Sequence, residues 1–387
     1  MPARNLNRRG GDGAANVRIG PVCQQARQAY SARHRPTSTM NQLVHDPAVS
    51  GLARPVVDLD WCVRIAGTGR YLPRRVVDSA EIEARVGLPA GWARTYNGVA
   101  SRHWAQPDET ASWMGAQAAL QACAAAGITP ESVDLILGAS GSVERAIPDG
   151  GPLLQHALGL GRSGIPSFSV HATCLSFIAA FELAAERIHS GRIRRALIVS
   201  SEIASVALDF TAPEACTLFG DGAAACVLER SDDDDTGRVH RIEWITHGAD
   251  HELTTVRGCG TFRHPNAPDA DPLDALFRMQ GRATLRRASR LAPELLDRLA
   301  LHHAARRALR WVAPHQTSRA GMDVVAAMEF GDDAVIDILA QTGNCIAASI
   351  PMALAHGIAE GRIQRGERGL LIGTGAGLSA AGIVMTY

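Results

Sequence analysis

The chain has 387 residues, 46% of them apolar and 20% charged, with 39 basic residues balancing 39 acidic ones. That length supports one large layered domain or two ordinary ones, and the charge balance excludes nucleic acid or an anionic membrane as a bulk electrostatic partner. Every basic residue is arginine, which removes Schiff-base and lysine-base chemistry; the eight cysteines lack C-x-x-C spacing, against a disulfide framework or zinc and for a reducing cytoplasm.

Residues 1–55 stand apart. Residues 1–40 carry seven arginines and a single acid, Asp12, with no hydrophobic period. Such a composition cannot bury enough surface to order itself, so a disordered basic extension is expected, with Met40 as an internal candidate start. It lacks the apolar core of a secretory signal, and no later run of about 18 apolar residues predicts a transmembrane helix.

From Trp61 onward, strand-like and amphipathic helical runs alternate, as in an α/β fold. Residues 63–66 read as a first strand closed by a Gly67-Thr68-Gly69 turn. Residues 110–126 have helical spacing with Gly127 as C-cap, and 135–137 and 166–170 read as strands. Cys174 follows, just before the apolar helical run 175–188. That address puts its sulfur at a helix N-terminus, where free N–H groups and the macrodipole favour a thiolate; a small buried hydrophobe is the bland alternative. Residues 196–200 form a buried strand, and Phe219-Gly220-Asp221-Gly222 opens another over 223–228. The four aspartates at 232–235 read as a solvated loop rather than a metal site, between halves spanning 56–230 and 238–387.

The second half echoes the first. Gly191-Arg192 before a buried strand returns as Gly366-Glu367-Arg368-Gly369 before 370–372. Gly220-Asp221-Gly222 returns as Gly375-Ala376-Gly377 before 383–385. Thr173-Cys174 opening a helix returns as Gly343-Asn344-Cys345 opening 346–356. A repeat of about 150 residues predicts a duplicated domain, with helix starts from both halves facing each other across a pseudo-two-fold. Two further polar residues sit at the ends of predicted strands, His315 after 311–313 and Asn344 after 335–339. Each also has a structural reading: His315 as a turn residue, Asn344 as a helix N-cap.

Taken together, the Cys174 segment, Leu218 to Ala223, Pro314-His315-Gln316, Gly343-Asn344 with Ala347 to Pro351, and the Gly375 to Gly377 turn resemble the condensing enzymes of the thiolase superfamily. The likeness is closest to β-ketoacyl-acyl-carrier-protein synthase III and covers residues 61–387. It implies a thiolase-like five-layered αβαβα sandwich of two duplicated halves, normally a homodimer. It further implies that Cys174 attacks an acyl thioester, with an oxyanion hole from the backbone N–H of Cys174 and of the turn at Ala376 and Gly377. His315 and Asn344 would donate to the thioester carbonyl of a malonyl-type or β-ketoacyl extender while carbon dioxide leaves. Trp92, Ile147, Phe219 and Arg319 are the implied substrate-binding residues, and Arg278, Arg282, Arg286 and Arg287 would meet an acidic acyl carrier protein. No metal or redox cofactor is implied; acyl-coenzyme A or acyl-carrier phosphopantetheine is the substrate.

Four departures sharpen the expectation. Tyr96 replaces the arginine that, with Trp92, would sandwich the coenzyme A adenine, and the arginine after His315-Gln316 is displaced to Arg319. Ile147, before Pro148, replaces the usual aromatic facing the partner's acyl pocket, and Leu175-Ser176 replaces smaller residues. These point to a carrier-borne acyl donor and to specialised lipid or polyketide assembly of the dialkylresorcinol type. Acyl transfer to oxygen or nitrogen and a non-catalytic partner subunit are the alternatives; the retained Cys174 and Asn344 favour condensation.

Overall fold

The computed structural model describes residues 58–232 and 237–387. The basic extension and most of the aspartate loop lie outside these residues. In chain order, the elements that build the site are β1 (Val63–Tyr71), α1 (Ala111–Ala125), β2 (Leu135–Gly138), β3 (Ser167–Ser169), α2 (Ser176–His189), β4 (Arg195–Glu202) and β5 (Gly222–Arg230). They continue with β6 (Arg238–Thr246), α3 (Gly281–Arg298), β7 (Trp311–Pro314), α4 (Ser349–Ala359), β8 (Arg368–Gly375) and β9 (Ser379–Thr386).

One sheet runs β1-β5-β4-β2-β3 and the other β7-β8-β9-β6. In the first, β1/β5 and β5/β4 are antiparallel, while β4/β2 and β2/β3 are parallel. The second repeats this with β6/β9 and β9/β8 antiparallel and β8/β7 parallel. Thus β6, β9, β8 and β7 stand for β1, β5, β4 and β2, and the duplication is written in the ladders themselves. The counterpart of β3 is reduced to a single bridge between Val312 and Val335, so the strand expected over 335–339 does not form. Gln316 supplies the reason. Its buried amide donates to the carbonyls of Pro314 and Ile336 at 2.9 and 3.0 Å and accepts from Ile338 N–H at 2.9 Å. A side chain thereby takes up groups that a longer ladder would pair.

Alternation along the strands sorts the core into layers. Leu137, Ile198, Cys226, Ala313, Leu371 and Ile383 share one cluster with Phe177 and Phe181 of α2 and Ile350 and Leu354 of α4. Their neighbours Ile136, Leu197 and Val227 face α1 instead, while Val312, Leu370 and Val384 face Leu291 and Leu295 of α3. The order is α1, sheet, α2 with α4, sheet, α3: the five layers expected. Because α4 is enclosed by both sheets, nearly all its residues are buried, which is why its sequence is apolar all round.

The Gly67-Thr68-Gly69 turn is a further correction. β1 passes straight through it, with a register shift between Ile65 and Gly67. A Cβ on Gly67 would lie 2.3 Å from the Ala122 carbonyl oxygen, and one on Gly69 would lie 2.2 Å from that of Ala118. These glycines permit the close approach of α1 to the sheet rather than a chain reversal. No helix among the described residues is long and apolar enough to cross a membrane.

Candidate active site

Cys174 lies in the turn between β3 and α2, two residues before the first helical residue. Thr173 adopts φ +51°, a strained conformation for a β-branched side chain. Ser176 holds it there: its hydroxyl accepts from Ala172 N–H at 2.9 Å and reaches the carbonyls of Thr173 and Ser140 at 2.7 and 3.1 Å. The buried Leu175 points away from solvent, and a Cβ on Gly373 would meet its Cδ2 at 3.1 Å and the Cβ of His315 at 3.0 Å. β8 thus runs close against both the cysteine turn and His315 at a point where it carries glycine.

Burial pushes the Cys174 thiol up to about 12, and the Glu202 carboxylate adds to the rise; hydrogen bonds from the backbone N–H groups of Ala376 and of Cys174 itself oppose it. The expected helix-stabilised thiolate is thus corrected to a resting thiol: desolvation outweighs what the start of α2 contributes. The N–H groups of Cys174 and Ala376, two of the donors expected in an oxyanion hole, both act to lower the thiol's pKa. Gly377 follows with φ +84°, completing the turn into β9.

His315 leaves the end of β7 and is 5% exposed. Its Nδ1 lies 2.9 Å from the Thr374 carbonyl oxygen, an acceptor, so Nδ1 carries the ring proton in that contact. Nε2 faces Asn344 Oδ1 at 3.2 Å. Burial lowers the His315 pKa against the pull of Asn344 and Thr374; both ring nitrogens face acceptor oxygens, and a neutral ring donates to one of them at a time. Asn344 Oδ1 also accepts from Ile346 N–H at 2.9 Å, while Nδ2 donates to the Thr317 carbonyl at 3.2 Å. The helix-start role and the candidate chemical role therefore reside in one side chain. Its backbone is fixed by Leu218 and Gly220, at 3.0 and 3.1 Å, which also seats Phe219 edge-on against Phe277 with centroids 4.7 Å apart.

The two helix starts meet at Gly141. A Cβ there would lie 2.6 Å from Ile346 Cγ2 and 3.1 Å from the Thr173 carbonyl oxygen. Sequence reasoning missed the residue that holds this junction. Glu202, at the end of β4, is fully buried and accepts from Gly141 N–H, Ser142 N–H and the Ser142 hydroxyl at 2.6, 2.8 and 2.5 Å. Its appearance directly after an apolar strand was the available signal.

The remaining expected residues lie elsewhere. Trp92 and Tyr96 stack on each other, centroids 4.6 Å apart and planes 20° apart, and Tyr96 is exposed. Arg319 is engaged by Asp323 and Asp337 at 2.9 and 3.0 Å. Ile147 is 89% exposed before the cis Pro148. Arg278 contacts the buried Asp274 at 3.8 Å rather than standing free. Arg282, Arg286 and Arg287 are exposed on α3; the last two, with Arg290, line a cavity of about 300 Å³, and Arg287 is 3.5 Å from Asp250. Among the described residues no group of three His, Cys, Asp or Glu side chains is arranged to hold a metal.

Comparison with known proteins fits this geometry. Residues 168–248 match the family model of 3-oxoacyl-[acyl-carrier-protein] synthase III, and residues 299–387 its C-terminal model. A β-ketoacyl-[acyl-carrier-protein] synthase III of Rhodospirillum rubrum is 35% identical over 325 residues, covering 82% of this chain and 97% of the relative. Its counterpart in Cereibacter sphaeroides is 33% identical over 334 residues, covering 84% and 98%. The solved 3-oxoacyl-[acyl-carrier-protein] synthase III of Aquifex aeolicus superposes with a TM-score of 0.73 at 29% identity, over 84% of this chain and all of that one. The priming β-ketosynthase of the R1128 polyketide pathway superposes with a TM-score of 0.74 at 28% identity, over 87% and 98%.

Proposed function

This chain belongs to the 3-oxoacyl-[acyl-carrier-protein] synthase III family of condensing enzymes, and on that footing we propose that Cys174 takes the acyl group and that His315 and Asn344 serve the extender. The observation that carries the reading is the placement of the His315–Asn344 pair beside the Cys174 turn, across Gly373 and Gly141, with the N–H groups of Cys174 and Ala376 favouring charge on the sulfur. Cys174 loses its proton as its sulfur bonds to the thioester carbon. The oxygen of the tetrahedral intermediate takes the two N–H bonds, and the departing thiol carries the proton away. Decarboxylation of the extender then leaves an enolate, stabilised by the free amide hydrogen of Asn344 and by a ring N–H of His315. Attack on the acyl carbon breaks the C–S bond, releasing the β-ketoacyl product and a cysteine thiolate that takes one proton from solvent.

The acyl donor in this proposal is borne by a carrier protein. Three observations support that choice. The Trp92–Tyr96 stack leaves no slot between the rings for an adenine, Arg319 is committed to two aspartates, and α3 exposes Arg282 and Arg286 to an acidic partner, with Arg287 beside them against Asp250. The exposed Ile147 fits contact with a second copy, as in a homodimer. The likeness to a polyketide priming synthase supports a specialised lipid or polyketide role, of which dialkylresorcinol assembly is one example.

The test is intact-protein mass spectrometry with a panel of acyl-carrier and acyl-coenzyme A donors. A single acyl mass should appear on Cys174, fastest from carrier donors, and vanish in Cys174→Ala. An adduct that persists in that variant overturns the assignment.

A further inference from the structure

Glu202 holds the loop that lies between the two helix starts. It ends β4, and its carboxylate receives Gly141 N–H and Ser142 N–H at 2.6 and 2.8 Å and the Ser142 hydroxyl at 2.5 Å. A further backbone hydrogen bond reaches it from Ala347, in the turn that follows Asn344. Gly141 is wedged between the Thr173 carbonyl and Ile346, the residue whose N–H is held by Asn344. Both Thr173 and Ile346 are β-branched residues with positive φ, +51° and +48°. The carboxylate thus ties together loops from both halves and holds two strained residues in register.

We propose that Glu202 is a positioning residue for the condensation: its buried carboxylate locks the Gly141–Ser142 loop between the Cys174 and Asn344 turns and sets a titratable charge beside the nucleophile's turn. The inference rests on the reading of Cys174 as nucleophile given above.

The titratable groups facing the carboxylate are Cys174 from the turn before α2 and Cys345 from the turn before α4, with Asp221 also acting on Cys345. Burial pushes Glu202 itself up to about 7, against the bonds from Ser142, Gly141 and Ala347. Below that point the carboxyl is neutral and exerts no charge on the sulfur; above it, the negative charge disfavours a thiolate.

The experiment measures alkylation of Cys174 by iodoacetamide from pH 6 to pH 9, read at its peptide by mass spectrometry against the exposed Cys259, in wild type and Glu202→Gln. The variant-to-wild-type rate ratio should be near one at pH 6 and climb to roughly tenfold by pH 9, since a nearby charge moves a pKa by about one unit or more. A ratio that is flat across this range overturns the proposal, because a purely structural loss changes reactivity without following the titration of a carboxylate. Should Glu202→Gln not fold, Ser142→Ala replaces it. That variant keeps the carboxylate but removes one bond favouring its charge, so the onset of wild-type slowing should move to higher pH; an unmoved onset also overturns the proposal. Wild-type acylation is measured in parallel: absence of an acyl mass on Cys174 sinks the functional reading, independently of either alkylation profile.

Discussion

Asn344 joins structure and chemistry in one amide, and paired substitutions separate them. Asn344→Ala removes the acceptor of Ile346 N–H and the donor to the Thr317 carbonyl. Fully dry, each orphaned group would cost ~1–3 kcal/mol. Both lie beside a site that water can enter once the side chain is gone, so the expected loss is about 2 kcal/mol in all, a drop of several degrees in Tm. The remaining amide hydrogen is the one available to a developing enolate, and losing such a donor costs ~3 kcal/mol of barrier, or about a hundredfold. Asn344→Asp keeps the acceptor for Ile346 but offers no donor and places a negative charge where the enolate forms. The two variants should therefore rank oppositely: Asp above Ala in Tm, Asp at or below Ala in carbon dioxide release. Release from carboxyl-labelled malonyl carrier, thermal melts, and acylation by intact mass supply the three readouts, with acylation staying within a few-fold of wild type. Carbon dioxide release within tenfold of wild type in Asn344→Ala, or failure of that variant to acylate, would refute the division of roles.

Three further outcomes follow from the described geometry. Tyr96→Arg breaks the stack with Trp92 and should raise acylation by acyl-coenzyme A relative to acyl carrier; an unchanged donor ratio would remove the stack from the specificity argument. Gly69→Ala drives a methyl to 2.2 Å from the Ala118 carbonyl oxygen and should cost roughly 3 kcal/mol of stability by overpacking; a near-wild-type denaturation midpoint would mean that α1 can shift freely. Glu109 is buried, which alone would raise its pKa, yet bonds from Tyr71, Gln106 and Arg74 leave it lowered. The stability this contributes is present above the unfolded carboxylate value of about 4.3 and lost as pH falls through the lower folded value. Glu109→Gln should accordingly flatten that acid limb, and an identical limb in the variant would show that other carboxylates set it.

Much of the fold was legible because it is carried by local patterns. The alternation that separates Ile136 from Leu137, the buried run of β5 and the left-handed Gly127, one residue past the Ala126 cap of α1, all speak within a few residues of themselves. What escaped depended on partners far along the chain. Gly67 and Gly69 look like a turn until α1 is laid across them, and residues 335–339 look like a strand until Gln316 takes two of their backbone groups. At the site, Cys174, His315 and Asn344 could be picked out by position at element ends. The ionisation of Cys174 could not, because a helix N-terminus is visible in sequence whereas enclosure by β8 and the charge on Glu202 are not. Arg319 and Arg278 illustrate the same limit, since their aspartate partners decide whether they are available to a ligand.

Cys174 sits in a turn held by the other half of the chain, through the Thr173 hydroxyl on the Ala376 carbonyl at 3.4 Å and the close passage of Gly373 against Leu175. Its reactivity is therefore a gauge of how well the halves are seated on each other. Heat or denaturant that loosens the central helical layer would disturb this cradle while both sheets remain hydrogen-bonded, so catalytic competence should fade before spectroscopic secondary structure does. The fragility of such an enzyme would then lie in the seam between its two copies, not in either copy alone.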